Sequence, residues 1–443
     1  MRKYESAGVA APEILLPKKD LDETKWAVVA CDQYTSQPEY WREVERIVGD
    51  APSTLRLIYP EVYLGEAKAD QRIEAIRSSM DAYLRDGLLA SHDGMIYVER
   101  VAAGRTRKGL VLCVDLEQYD YNKGSTSLIR ATEGTILERI PPRIRIRQGA
   151  SLELPHIMVL IDDPEDTVLG PLTRGKQNLE KVYDFDLMLS AGHLSGYRVP
   201  AGPAEDLVVR SLEMLADPAT YAKKYDLAPG KPVLLYAMGD GNHSLATAKA
   251  IWEKTKEAAA DRMAVMDSPT RYALVELVNL HDPSLEFEPI HRVVFDIATG
   301  KDLLGEIVAA LTATVHEVAS VEEMKTQVFA STPQAQRFGV IRDAGYAVVH
   351  VGKASSNLPV GSLQSVLDGF MKAGGAREID YVHGTGPVDE LGKKLGNMGF
   401  FLPAMNKHDL FKTVILDGAL PRKTFSMGEA EEKRFYMECR RLV

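Results

Sequence analysis

The sequence is organised around one stretch, Val233-Leu-Leu-Tyr-Ala-Met-Gly-Asp-Gly-Asn-His-Ser-Leu-Ala-Thr-Ala-Lys-Ala-Ile-Trp252. Its apolar run 233–238 has the length of a strand and is interrupted at Gly239 and Gly241. Apolar residues then recur with helical spacing from Leu245 onward. We therefore predict a strand, a tight glycine turn and a helix that begins within one residue of His243.

A turn of this kind gathers unpaired backbone amides at the positive end of a helix, which favours an anion, most often phosphate. The turn also brings a carboxylate (Asp240), an imidazole (His243) and a hydroxyl (Ser244) to the same place. Neither the Gly-x4-Gly-Lys-Ser/Thr loop nor the Gly-x-Gly-x-x-Gly fingerprint is present. The pattern also fits an ordinary strand-to-helix connection in which His243 satisfies a backbone carbonyl.

Composition narrows the class of protein. The chain has 443 residues, 45% of them hydrophobic and 26% charged, which is typical of a globular protein of more than one domain. A formal net charge of -10 argues against a nucleic-acid partner. Three widely spaced cysteines form no disulfide framework, and neither a signal peptide nor a membrane-spanning run is apparent. We expect a cytoplasmic protein that binds a small molecule.

The order of predicted elements indicates a mixed α/β (α+β) fold. Strands are expected at 26–31, 95–101, 109–115, 157–161 and 272–280, and helices at 36–48, 68–86, 176–190 and 204–214. From about residue 300, helices and strands alternate, which predicts a second α/β unit. We place the domains at 1–295 and 296–443.

Polar groups follow apolar strands in two further segments. Glu133 stands in the loop-like segment 130–135, where a carboxylate could act as a general base or be satisfied by backbone amides. His291 and Arg292 follow the strand at 272–280 and could supply positive charge to a phosphate, although a structural role for His291 is also open. If the segment 143–147 is extended, its three arginines lie on one face. That face could bind a ligand or form a solvated edge of a sheet.

A metal-dependent hydrolase is a further alternative, with the ligand types of a hydrolytic site but no diagnostic spacing. Its residues would be Asp240, His243, His281, Asp282 and His291. We assign no metal ligands on this basis.

The segment 239–248 resembles the domain-of-unknown-function family numbered 1015, whose pattern is Asp-Gly-x-His-Arg-x-x-Thr-Ala. Asp240, Gly241, His243, Thr247 and Ala248 match it. Four weaker resemblances support it at 30–34, 130–135, 289–292 and 420–426. The family is similar to the superfamily of the ParB N-terminal domain, sulfiredoxin and free serine kinase. The resemblance implies a ParB/sulfiredoxin-like N-terminal portion that binds the phosphates of a nucleotide.

The resemblance implies an ATP- or ADP-dependent kinase, used with Mg²⁺, that phosphorylates a hydroxyl such as that of free serine. Glu133, Asp240 and His243 are then the candidate catalytic residues. The candidate phosphate- and nucleotide-binding residues are Gly241, Asn242, Ser244, Thr247, His291, Arg292 and Lys423. Ser244 stands where the family pattern has arginine. Either Arg292, Arg145 or Lys423 replaces that charge, or the phosphate role is lost. A nucleotide-binding regulatory protein without catalysis is the main alternative.

Overall fold

The computed structural model describes residues 1–122, 124–134 and 140–442. The chain divides into two compact units, a first unit of 1–285 with 428–443 and a second unit of 286–427. These units do not coincide with the expected ranges 1–295 and 296–443, because the C-terminal segment returns to the first unit. Its buried side chains Arg434 and Arg440 form ion pairs there with Glu276 and Glu153.

The first unit contains both strands and helices. Its strands are β1 Arg2–Tyr4, β2 Val9–Ala11, β3 Glu13–Pro17, β4 Val28–Val29, β5 Leu89–Asp93, β6 Met95–Ala102, β7 Arg105–Asp115, β8 Tyr119–Asp120, β9 Ile129–Arg130, β10 Leu152–Glu153, β11 Met158–Ile161, β12 Glu180–Asp186, β13 His193–Val199, β14 Tyr236–Asp240, β15 Tyr272–Asn279 and, after the second unit, β23 Phe435–Tyr436 and β24 Arg440–Arg441. Its helices are α1 Glu23–Trp26, α2 Pro38–Val48, α3 Ala69–Arg85, α4 Ile140–Arg147, α5 Gly170–Gly175, α6 Pro203–Leu215, α7 Pro218–Tyr225, α8 Asn242–Ala258 and α9 Arg262–Val265.

The second unit is an antiparallel sheet with helices. Its strands are β16 Phe287–Ile297, β17 Thr314–Val318, β18 Arg337–Arg342, β19 Gly345–His350, β20 Ala376–His383, β21 Met398–Phe401 and β22 Phe425–Met427. Its helices are α10 Leu303–Leu311, α11 Val321–Phe329, α12 Pro359–Lys372, α13 Thr385–Gly392 and α14 Leu410–Asp417. The strand order is β17-β19-β18-β21-β16-β20, and β22 also pairs with β16.

The main sheet of the first unit is mixed, with the order β12-β13-β6-β7-β15-β11-β14-β9-β8. Strand β11 lies parallel to β15 and antiparallel to β14, and β14 lies parallel to β9. Alternate residues of β7 enter two different hydrophobic clusters, one containing Leu110 and Leu112 and the other containing Val111 and Cys113. Both faces of the sheet are therefore covered, and the expected mixed α/β class is confirmed.

Two sequence predictions of local structure are wrong. The segment 143–147 is not extended but forms most of α4, where Ile140 and Ile144 are buried at helical spacing. Its arginines consequently point in different directions. The helix predicted at 176–190 is instead centred on strand β12, because buried Tyr183 and Phe185 alternate with exposed acids, which is the period of a strand.

No helix in the described part of the chain is both long and apolar enough to cross a membrane.

Candidate functional site

The strand-turn-helix stretch forms as the sequence predicts. Strand β14 ends at Asp240, Gly241 adopts a left-handed conformation with a φ of 78°, and α8 runs for 17 residues from Asn242. A Cβ on Gly241 would lie 3.1 Å from the Cα of Ile157, so the turn also needs glycine for space. The amides of Ser244 and Leu245 both donate to the Gly241 carbonyl, which closes the first turn of the helix.

We expect Gly241→Ala to destabilise the first unit by about 1–3 kcal/mol, since alanine is disfavoured at positive φ and its methyl group would press on Ile157. Urea unfolding followed by tryptophan fluorescence measures this, because Trp26, Trp41 and Trp252 all lie in the first unit. Gly175→Ala is the matched control, with open space around its Cβ and no positive φ. Equal stability of the two variants would contradict the prediction.

Asp240 is held on both sides. Its Oδ1 accepts from the Gly241 amide, and its Oδ2 lies 3.0 Å from Lys433 Nζ. Burial would raise the pKa of the Asp240 carboxyl, but Lys433 outweighs it and the pKa is lowered. Asp240 is therefore ionised at neutral pH, and an ammonium group stands beside the predicted phosphate site.

The side-chain oxygen of Asn242 lacks a hydrogen-bond donor among the described residues. Its Oδ1 is buried and accepts no hydrogen bond from the described residues. Buried polar atoms in folded proteins are satisfied almost without exception, so such an oxygen at a helix start suits a ligand donor or a cation.

The hydroxyls of Ser244 and Thr247 have partners within the protein. Ser244 Oγ lies 2.8 Å from His156 Nε2, and His156 Nδ1 lies 2.7 Å from the Tyr436 hydroxyl. Thr247 donates to the His243 carbonyl at 2.7 Å, inside its own helix. His243 itself is half-buried in the first turn. The phosphate contacts assigned to Ser244 and Thr247 stay predictions.

Glu133 lies in the segment that the structure ties to the turn. The Thr132 hydroxyl donates to the Met238 carbonyl at 2.7 Å, and β9 just before it pairs with β14. Glu133 is half-buried. Thr135, the last residue of the segment 130–135, lies outside the described residues. The base role of Glu133 stays a prediction.

Three predicted phosphate ligands lie in the second unit. His291 is buried and its Nδ1 accepts from the Leu402 amide, and burial with nearby Arg292 lowers its pKa to about 4. The ring is thus uncharged at neutral pH. Arg292 is fully buried and donates to Gln364 Oε1 and to the Arg422 carbonyl, while Lys423 is exposed. Their roles at a phosphate stay predictions.

The residues of the metal alternative have other contacts. His281 Nε2 lies 2.6 Å from Asp162 Oδ1, and Asp282 accepts from the amides of Lys108 and Ser284. Within 1–122, 124–134 and 140–442, no group of three or more His, Cys, Asp or Glu side chains could hold a metal ion.

The sequence analysis missed the partners that complete the site. These are His156, Lys433 and Tyr436, which reach the turn across long distances along the chain, 193 residues in the case of Lys433 and Asp240. His156 carried one weak signal, its place directly before a predicted strand. Lys433 and Tyr436 carried none, because their contacts depend on the return of the C-terminal segment.

The fold and the turn define a mixed α/β protein in which a strand, a left-handed glycine and a helix meet at the start of α8. The chain belongs to the family described as protein of unknown function DUF1015, whose model matches residues 15–370. No curated protein matches the sequence.

The solved structures that match this chain are distant from it. A free serine kinase variant in complex with AMP is 10% identical with a TM-score of 0.39, over 76% of this chain and 93% of that one. Its complex with ADP gives the same identity and TM-score, over 76% and 94%. A conserved hypothetical protein from Pyrococcus furiosus is 11% identical with a TM-score of 0.35, over 76% and 94%.

Proposed function

We propose that this protein is a nucleotide-dependent small-molecule kinase that binds the phosphates at the Asp240–Ser244 turn and acts in the cytoplasm. The observation that carries the proposal is the turn itself. A left-handed glycine opens a long helix beside Lys433. The buried Asn242 oxygen accepts no hydrogen bond from the described residues, which suits the cation that accompanies a nucleotide. A helix start and an ammonium group together suit a polyphosphate.

The residues present also fit a nucleotide-bound Mg²⁺. Carboxylate and amide oxygens are the protein ligands that this ion prefers, and Asp240 and Asn242 supply both at the turn. When bound, the ion would neutralise charge on the phosphates during transfer. Asp240 and Asn242 are therefore the candidate holders, with Lys433 as a second source of positive charge.

The proposed reaction moves the terminal phosphoryl group of ATP or ADP to an acceptor hydroxyl. The bond between that phosphorus and the bridging oxygen breaks, and a bond from phosphorus to the acceptor oxygen forms. Glu133 takes the proton of the hydroxyl, and His243 lies at the transferred group. Such a reaction depends mainly on positioned charge and on an oriented acceptor, which is what this set of residues offers.

The free thiols fit the proposed compartment. Cys31, Cys113 and Cys439 form no disulfide, and burial raises the pKa of each thiol. Unpaired, unreactive cysteines are typical of proteins kept in a reducing environment.

We expect the purified protein to convert ATP or ADP in the presence of Mg²⁺ and a hydroxyl acceptor. The test is a ³¹P NMR screen of ATP, ADP, CTP and GTP, with and without L-serine as a first acceptor, with EDTA as control. A nucleotide at about 100 times its Kd should also stabilise the protein by about 2.7 kcal/mol, seen as a rise in Tm. Stabilisation with no phosphorylated product from any acceptor would favour a regulatory nucleotide-binding protein. If the nucleotides give neither product nor stabilisation, both the kinase function and the regulatory function are excluded.

A further inference from the structure

A cavity of about 130 Å³ lies in the first unit next to the turn, with Ser244 and Thr247 in its lining. Most of its wall is apolar. Six of the side chains that form it are Leu57, Ile58, Ile76, Met80, Ile146 and Ile157. In another protein, an apolar cavity of about 150 Å³ stays dry and binds benzene. The present cavity therefore has room for one apolar group of about that size.

The charged groups of the lining already have partners. Glu61 is paired with Arg143, and Glu153 is paired with Arg147 and with Arg440. Burial nevertheless raises the pKa of Glu61, so its carboxylate is poorly solvated. A charged ligand would have to break one of these pairs, at a cost of several kcal/mol in a buried setting.

Three polar side chains of the lining, those of Ser244, His156 and Tyr436, form one chain of hydrogen bonds. Ser244 Oγ contacts His156 Nε2 at 2.8 Å, His156 Nδ1 contacts the Tyr436 hydroxyl at 2.7 Å, and the Cys31 amide donates to that hydroxyl at 3.3 Å. Because the imidazole can carry its proton on either nitrogen, Ser244 can donate to a ligand or accept from it. That versatility suits a ligand hydroxyl.

We propose that this cavity binds the acceptor and that the acceptor is an uncharged alcohol with an apolar body, such as an aromatic or branched primary alcohol. The inference rests on the proposed kinase function. A free amino acid would bring a carboxylate and an ammonium group into a wall whose own charges are already matched. The apolar wall holds the body of an alcohol, and Ser244, which lines the cavity and belongs to the predicted phosphate turn, orients its hydroxyl.

The test measures binding without nucleotide, by titration calorimetry and saturation-transfer NMR, with benzyl alcohol and L-serine as probes. We expect benzyl alcohol to bind with a Kd on the order of 1 mM and L-serine not to bind. Ala150→Leu places extra volume in the cavity and should weaken binding about tenfold or more. Ala258→Leu, at the exposed end of α8, is the matched control and should leave it unchanged.

Ser244→Ala gives a second reading that does not depend on tolerance of a larger side chain. Loss of one hydrogen bond should weaken benzyl alcohol about three- to tenfold. No binding of benzyl alcohol, binding that neither variant affects, or preferential binding of L-serine would each overturn the inference. Binding as expected, with no phosphorylated alcohol formed from ATP or ADP, would leave the cavity assignment standing and would count against the kinase function alone.

Discussion

Replacing Arg434 with alanine is expected to lower the free energy of unfolding of the first unit by about 3–5 kcal/mol, the usual loss when one partner of a buried ion pair is removed. The Arg434 side chain is 3% exposed and forms ion pairs with Glu276 and Glu438. Its Nε also donates to the Pro155 carbonyl at 2.8 Å. Alanine would leave two buried carboxylates without this cation and a carbonyl without its donor.

The measurement is urea unfolding followed by tryptophan fluorescence. Arg46→Ala is the matched control, because Arg46 pairs with Glu43 at the exposed surface and its loss should change the stability far less. A loss of the same size in both variants would contradict the importance of the buried network.

The pH dependence gives the same prediction a second readout. Burial would raise the pKa of Glu276, but Arg107 and Arg434 outweigh it and hold the pKa below its usual value. A carboxyl whose pKa is lowered on folding adds stability above its unfolded pKa and loses it as the pH falls through the folded one. The difference in the free energy of unfolding between wild type and Arg434→Ala should therefore be largest at neutral pH and should shrink below about pH 4.

The C-terminal segment 433–436 serves the site in three ways. Lys433 neutralises Asp240, Arg434 holds the backbone just before His156, and Tyr436 orients the His156 ring. Arg434 is thus a positioning residue. It fixes the backbone next to Lys433 and His156, which contact the turn, and does not contact the turn itself. Assembly of the site and stability of the first unit are coupled through these few residues.

Local patterns predicted the elements that depend on local physics. Strands β6 and β7, helix α3 and the turn before α8 follow from periodicity and glycine placement, and all are present. The arginines of α4 were misread because their spacing fits a strand as well as a helix, and burial of Ile140 and Ile144 decides between the two. In β12, burial of the alternate residues Tyr183 and Phe185 favours the strand over the predicted helix.

The candidate site was predictable only in its turn. Asp240, Gly241 and Asn242 adopt the geometry that the sequence suggests, because a strand end and a helix start specify it locally. The partners His156 and Lys433 depend on tertiary pairing, which no local pattern encodes. For the same reason the return of the C-terminal segment to the first unit was missed, although its buried Arg434, Glu438 and Arg440 are residue types that are buried only when paired.

Replacing Glu133 with glutamine is expected to lower kcat by about 10²–10⁴-fold and to leave nucleotide binding unchanged. Glutamine keeps the size and polarity of the side chain but cannot take the proton of the acceptor hydroxyl. The Kd of the nucleotide should be preserved because the start of α8 and Lys433, which would hold the phosphates, lie on other elements. The acceptor that gives product in the NMR screen is the substrate for this measurement.

Glu257→Gln is the matched control, since Glu257 is exposed near the end of α8 and should leave kcat unchanged. A pH profile separates a base from a structural carboxylate. If Glu133 is the base, kcat of the wild type falls on the acid side as Glu133 becomes protonated, and the Glu133→Gln variant loses that limb. Turnover that is unchanged in Glu133→Gln would remove Glu133 from the mechanism. Asp240 would then be the carboxylate nearest to the phosphate turn. Because Lys433 holds the pKa of Asp240 low, that carboxylate is poorly suited to accept a proton at neutral pH.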